Sequence, residues 1–514
     1  MEPSVGRGVI VLTISGILCK IIGAFFRLPL TYILGVEGIG IFQLVMSVFS
    51  FALVLTSGGL PVTLSKLISA ERAKGNFGKI KWYIYIALGY SILVSFLIGV
   101  LFLLFSRPLA VFQQSEGASV CYKLFFPLLL FSSLVSLYRG VFQGYEDMVP
   151  TAVSQIIEQL CKFVFGLILA HILARYSITY GVLGAILGIV LGEVLAVAYL
   201  LIKKKNLGLG KNRYEIAGRK EFFSYFFPAT LGLSVSSFVH FFDSLVINQR
   251  LARAGISAEA ATSLFGLQTG VVGSILNFPI IISLSLATAL LPTLSFEKGG
   301  DEKRFKQKIS KSFSLMWFVI LPITFGLLAV SLPLYQVVYP FFSRDMFSYA
   351  VRLTAIGSIS TILLAVAQFC TSILHARGEF RFVFISYFLG GGIKIICTLL
   401  LCPLKGVNIL GLAIGNAASS LAIMLMCLTK LRREILVGLD LFFAPLLSSL
   451  VMLVVTGYLS VILPVSSMLN LIICVIIGVA IYVLLTLPLI KCFICEFMGK
   501  IFRKRLKDEQ ERNA

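Results

Sequence analysis

Two cations seven residues apart, Lys20 and Arg27, interrupt a stretch that is otherwise apolar from Val9 to Leu34 and contains no acidic residue. Seven residues make two turns of α-helix, so both side chains lie on one face, about 10.5 Å apart along the axis. An ionisable group at bilayer depth costs roughly 2.5–3.5 kcal/mol on insertion scales, so such groups face a partner, a polar cavity or the interface. Lys123, in a fourth apolar stretch, adds a third candidate. Arginine offers phosphate oxygens a planar fork and lysine offers them a point charge. A cavity lined by these three residues suits a phosphate-bearing anion. The alternative is neutralisation by carboxylates of other helices, for which Glu193 is available.

Other intramembrane charges read differently. Glu158 and Lys162 are four residues apart with the acid first, the favourable order for a structural pair within one helix. Asp243 and Lys394 lie deep in separate apolar stretches without a local partner. Either they neutralise each other across helices, or they form a coupling element that senses protons or cations. Glu193 belongs with them as a possible coupling residue, and His240 lies close enough to Asp243 in sequence to tune it. Arg139, Arg352 and Lys491 fall near segment ends, where snorkelling side chains act as anchors. Catalytic patterns are lacking. The three histidines fall in three different segments without metal-ligand spacing, and Gly208-Leu209-Gly210-Lys211-Asn212 lacks the spacing and hydroxyl residue of a phosphate-binding NTPase loop. The expectation is a non-enzyme with no cofactor and no metal.

The elements that carry these residues follow from composition. The chain has 514 residues, 58% hydrophobic and 13% charged, with mean hydropathy +0.98. Soluble domains are typically ~45–50% apolar and ~25% charged, so a polytopic helical membrane protein is predicted. Nucleic-acid binding, disorder and a secreted disulfide scaffold are excluded. Fourteen apolar segments are expected, at about 9–34, 40–65, 82–106, 119–143, 149–174, 180–202, 221–248, 262–294, 312–340, 346–374, 382–402, 407–429, 438–463 and 467–497. Alternate connections hold thirty basic residues on one side and six on the other. Lys/Arg excess marks the cytoplasmic face, so both termini are predicted to be cytoplasmic; the expected location is the plasma membrane. The net charge of +21 then reflects topology and contact with anionic membrane lipids. Nearly all ten cysteines sit singly in apolar runs. The close pair Cys492 and Cys495 has no second pair to complete a metal site. A weak echo between the stretch Arg139–Gly184 and the stretch Arg377–Gly411 suggests repeated halves around a central site. The expected organisation is an N-terminal lobe at 1–205, a C-terminal lobe at 206–433, two further helices at 434–498 and a basic tail at 499–514.

Several motifs carry a family resemblance. They are the run from Gly16 to Gly23, Phe26-Arg27-Leu28-Pro29-Leu30, the run from Leu34 to Gly40 with Gln43, and Gly59-Leu60-Pro61 with Ser65-Lys66. Further matches are Tyr138-Arg139-Gly140, Phe142-Gln143-Gly144, the run from Pro150 to Gln159, and Leu291-Pro292-Thr293-Leu294-Ser295. Over nearly its whole length the chain resembles the stage V sporulation protein B family. That family belongs to the multidrug/oligosaccharidyl-lipid/polysaccharide exporter superfamily, with MurJ-type lipid II flippases, O-antigen translocases and MATE drug exporters. The resemblance implies fourteen helices, two six-helix lobes around a central cavity, and alternating access. It implies a polyprenyl-diphosphate-linked glycan as substrate, lipid II above all, and a role in peptidoglycan and spore-cortex synthesis, with cell-wall synthases as possible partners. Arg27 matches the diphosphate-binding arginine of the first helix in MurJ-type flippases, and Lys20 falls near an earlier cation. The cations those flippases carry on the second and eighth helices have no match between Gly40 and Pro61 or between Thr262 and Ser295. Some MurJ-type proteins bind sodium between the seventh, eleventh and twelfth helices, and the Lys394 ammonium would occupy that ion's charge position near Asp243. The rival readings are a MATE-like cation-coupled antiporter, a translocase for O-antigen or another polysaccharide, a membrane glycan ligase or polymerase, and a scaffold for synthases.

Overall fold

The computed structural model describes residues 3–205, 215–295, 302–432 and 439–488. The Gly208–Asn212 stretch, Lys491, the Cys492/Cys495 pair and the basic tail at 499–514 lie outside the described residues. Among the described residues the chain is helical and contains no strand. The helices are α1 (Pro3–Leu53), α2 (Leu60–Ala73), α3 (Phe77–Phe112), α4 (Ala118–Tyr122), α5 (Phe125–Gly144), α6 (Val149–Ala174), α7 (Ile178–Lys204) and α8 (Arg219–Arg253). They continue as α9 (Ala258–Gly266), α10 (Gly273–Ser295), α11 (Glu302–Ala329), α12 (Ser331–Val338), α13 (Arg344–Ala376), α14 (Phe380–Leu401), α15 (Leu410–Leu431), α16 (Leu439–Ile462) and α17 (Ser467–Pro488).

Thirteen helical runs among the described residues are long and apolar enough to cross a membrane, rather than the fourteen segments expected. The difference lies at the N-terminus, where one continuous run, Ile14–Ala73, spans 60 residues. At 1.5 Å per residue this is about 90 Å of helix, far more than the ~30 Å hydrocarbon core. Gly35 divides it, with φ 67° and ψ −178°, a conformation open to a residue without Cβ. The first expected segment is the arm of α1 before Gly35, and the second runs from the arm after it through a π-helical turn at Val54–Gly58 into α2. Pro61 and Pro127, which lie within expected segments, sit in the first turns of α2 and α5, where the missing N–H has no partner to lose.

The chain divides into two compact units, Met1–Asn277 with Glu379–Ile423, and Phe278–Gly378 with Met424–Ala514. In the second unit α11 packs on α13 and α16. Trp317 donates its indole N–H to the Phe442 carbonyl at 3.0 Å and stacks on the Phe442 ring. In the first unit the dominant contact is α6 against α7. Four glycines of α7, at 181, 184, 188 and 192, recur every three or four residues and so form one stripe. A Cβ at Gly184 would run into the Leu169 backbone, and one at Gly188 into the Gly166 backbone. A Cβ at Gly192 would stand 2.9 Å from the Glu158 carbonyl oxygen. Lipid tails are as apolar as leucine, so helix association in a bilayer relies on such close backbone approach. The stripe also brings position 193 beside position 158.

The near ends of α2, α3 and α8 are tied by charge. Lys79 reaches Glu71 at 3.1 Å and Glu221 at 3.2 Å, and Tyr83 donates to Glu221 at 2.7 Å. Asn76 caps α3 by accepting from the Lys79 N–H at 3.1 Å and donates to Glu215 at 2.6 Å.

The glycine stripe makes a direct prediction. Gly188→Leu forces α6 and α7 apart and should lower stability by about 1–3 kcal/mol or more, the usual cost of overpacking. Gly89→Ala, in open space on α3, should be neutral or stabilising by a few tenths of a kcal/mol, because alanine is the better helix former. Thermal unfolding in detergent compares the two.

Candidate functional site

Charged side chains from four helices converge within the first unit. Arg139 is the only charged residue of α5. Its Nη2 lies 2.9 Å from Glu158 Oε2 on α6, and its Nε donates to Ser154 Oγ at 2.9 Å. The other Glu158 oxygen accepts from Gln159 Nε2 at 3.0 Å. One turn along α6, the Lys162 ammonium stands 5.0 Å from the centre of the Phe26 ring on α1, within cation–π range. Next to Phe26, Arg27 donates from Nη1 to Ser274 Oγ at 2.7 Å. A turn of π-helix at Leu267–Val272 precedes Ser274 and shifts the helical register, as such turns often do near functional sites. Glu193, on α7, accepts from Ser132 Oγ of α5 at 2.8 Å. Lys162 is within electrostatic reach of Arg27, Glu158 and Glu193.

The expected pairing of Glu158 with Lys162 is not what the structure shows. Glu158 pairs with Arg139, because the end of α5 lies across α6 at that height and an arginine fork also reaches Ser154. Arg139 is thus a partner in an ion pair rather than an interfacial anchor. Lys123 is not inside an apolar helix: it is exposed, in the turn between α4 and α5, and the fourth span begins only at Phe125. Lys20 is exposed on α1 while Arg27 is half-buried, so the two cations share an axis but not an environment. The structure brings Arg27, Lys162, Glu158 and Glu193 together and leaves Lys20 and Lys123 outside that cluster.

A second charged site joins α8 and α14. Lys394 Nζ lies 2.7 Å from Asp243 Oδ2, with both side chains buried, and Thr398 Oγ1 donates to Asp243 Oδ1 at 3.2 Å. Of the two arrangements open from sequence, neutralisation across helices is the one formed. Gly391, which faces Val239, lets α14 approach α8 closely. His240 is within electrostatic reach of Lys394. No group of three His, Cys, Asp or Glu able to hold a metal occurs among the described residues.

Sequence reasoning did not single out Ser132, Ser154, Ser274 and Thr398 as partners. Hydroxyls are common in membrane helices, and only the packing of helices distant in sequence selects these four. For Arg139 there was a signal: a lone charge on α5 followed by a lone acid on the next helix.

A bundle of apolar helices of membrane-spanning length is that of a multi-pass membrane protein. The chain belongs to the polysaccharide biosynthesis protein family, whose model matches residues 5–296. It is 27% identical to stage V sporulation protein B of Bacillus subtilis (strain 168) over 314 residues, 58% of this chain and 59% of that protein. It therefore spans somewhat less than two thirds of that relative. It is 24% identical to the lipid II flippase MurJ of the same organism over 450 residues, 82% of each chain. Among solved structures, a lipid II flippase MurJ in an inward closed conformation superposes with a TM-score of 0.75 at 17% identity, covering 94% of this chain and all (100%) of that one. An inward-facing multidrug resistance MATE family transporter gives 0.65 at 15% identity, covering 83% and 98%. These likenesses establish the transporter fold.

The buried pair between α8 and α14 can be tested by stability. Removing one partner leaves an uncompensated buried charge, which costs about 3–5 kcal/mol. Asp243→Asn and Lys394→Met should each destabilise strongly, whereas the double variant should recover most of the loss. A double-mutant cycle on thermal unfolding measures this.

Proposed function

We propose that the chain is a flippase that exports a polyprenyl-diphosphate-linked cell-wall precursor, above all lipid II for peptidoglycan or spore cortex, across the cytoplasmic membrane. One observation carries the reading. In the cluster of the first unit three cations, Arg27, Arg139 and Lys162, face two carboxylates, and Arg139 and Glu158 already neutralise each other. Lys162 stands against an aromatic ring and Arg27 donates to a serine hydroxyl, and among the described residues the cations of this cluster outnumber its carboxylates, a positive surplus. A diphosphate offers both cations charge-assisted hydrogen bonds that Ser274 and Phe26 cannot match. Lys20 and Lys123 extend this field from exposed positions, which suits steering of an anionic headgroup rather than tight capture. A cationic drug would be repelled by the same surplus, which argues against the MATE-like reading.

In this reading the prenyl tail stays in lipid, no bond is broken, and the headgroup passes between leaflets as two halves, 1–205 and 206–433, rock against each other with both termini in the cytoplasm. The Lys394 ammonium, paired with Asp243, stands in for the cation that an ion-coupled relative would bind there. Moving one elementary charge through 100 mV is worth about 2.3 kcal/mol, so the membrane potential can drive the export of an anion. Anionic lipids bind the basic connections, and cell-wall synthases take up the product.

The test is translocation of a short-chain lipid II analogue in proteoliposomes. Arg27→Ala and Lys162→Ala should each slow transport about tenfold or more, the loss of one charge-assisted contact of roughly 1.5–3 kcal/mol. Arg27→Lys should retain an intermediate rate, and Lys123→Ala should lie close to wild type. Unchanged transport in the Arg27/Lys162 double variant would remove the cluster from the mechanism.

A further inference from the structure

Glu193 sits in the cationic cluster but makes none of its diphosphate contacts. Its side chain is only 7% exposed. Oε1 accepts one hydrogen bond, from Ser132 Oγ at 2.8 Å, while Oε2 is buried with no hydrogen-bond partner. An ionised carboxylate is an acceptor with about four lone-pair sites. Buried in a membrane helix with one neutral donor, it would be far from satisfied. Protonation resolves the conflict, since the carbonyl oxygen keeps Ser132 and the charge disappears.

The groups that face Glu193 come from every helix packed on α7. From α6 they are Glu158 and Lys162, with Cys161 near Gly192; from α5, Arg139 together with the Ser132 hydroxyl; α1 brings Cys19 near Glu158 and Arg139, and Arg27 near Lys162. The titratable groups of α4, Cys121 and Tyr122, lie toward the other end of α7, where Gly117 meets Thr179. On α7 itself Tyr199, Lys203 and Lys204 lie well over a turn away. Arg139 is held by Glu158 and Ser154, so Lys162 is the cation whose balance depends on what else is bound.

We propose that Glu193 is a proton-binding site inside the membrane: it is protonated while Arg27 and Lys162 hold a phosphate anion, and it gives the proton to water when that anion leaves. The linkage with the anion rests on the flippase reading. The proton leaves Oε2 as the carboxylic acid becomes a carboxylate, and Lys162 then has that carboxylate to balance it in place of the phosphate. By reciprocity, a bound anion raises the affinity of Glu193 for its proton, and the proton raises the affinity of the cluster for the anion by the same factor. The flippase would then carry a pH dependence of its own, set by one carboxyl group.

Two measurements on the full chain in lipid test this, with farnesyl diphosphate as probe. Infrared difference spectroscopy should show a carboxylic-acid C=O band that is absent in Glu193→Gln and that persists to higher pH when the probe is bound. Ser132→Ala, which keeps the carboxyl group and removes its donor, should move the titration to higher pH, and it guards against a Gln variant that fails to fold. The ratio of probe affinities, wild type over Glu193→Gln, should fall by up to about tenfold per pH unit above the midpoint, since one proton is linked. The probe's own ionisation cancels in that ratio. A spectrum with no band assignable to Glu193, or a ratio independent of pH, would overturn the proposal. Failure of the probe to bind at any pH would overturn the flippase reading and its linkage, while a titrating band would still support the proton site.

Discussion

The constraint on which the rest of this protein depends is the cost of a charge away from water. Among helices whose outer faces are apolar, every ionisable side chain must be paired, solvated or neutral. The first unit answers in more than one way. Arg139–Glu158 and Lys394–Asp243 are ion pairs between helices, each completed by a hydroxyl: Ser154 for the first and Thr398 for the second. Lys162 has a softer partner, the Phe26 ring, while Arg27 donates to the Ser274 hydroxyl. A strongly held pair is structure. A cation held by an aromatic face can exchange that partner for a better one, and this difference distinguishes a site from a strut.

Backbone proximity fixes where those charges meet. The glycine stripe of α7 allows α6 to approach until Gly188 and Gly166 touch, and the same contact sets Glu193 next to Glu158. Packing and electrostatics are therefore not separable here, because a larger side chain in the stripe would move a carboxyl group as well as a helix. Gly391 plays the corresponding part for Lys394 against α8. At the ends of α2, α3 and α8 the cluster of Glu71, Lys79, Tyr83 and Glu221 holds three helices together where they emerge from the apolar region, where surface ion pairs count for little singly and more as a network.

The family and the fold bound the functional reading, and the cluster narrows it. A fold shared with both a lipid II flippase and a multidrug transporter defines the architecture and leaves activity and cargo to the site. The proposed cargo follows from sign: among the described residues the cations beside Phe26 outnumber the carboxylates. The proposed proton site adds a means of adjusting that surplus without moving a helix.

The hydropathy of the chain determined the membrane class, the number of apolar runs within one, and the stretches in which the charged residues lie, because a bilayer imposes a length and a polarity that can be read one residue at a time. It also fixed the inventory of intramembrane charges, Arg27, Lys162, Glu158, Glu193, Asp243 and Lys394 among them. Which of these meet was decided by tertiary structure alone. The local rule paired Glu158 with Lys162 four residues on, yet Arg139, nineteen residues back, reached the carboxylate first. Lys123 was read as deep because apolar residues flank it, and the turn after α4 leaves it exposed. In each case the side chain's environment depends on where a distant helix passes, and periodicity within one segment carries no information about the neighbour on its other face.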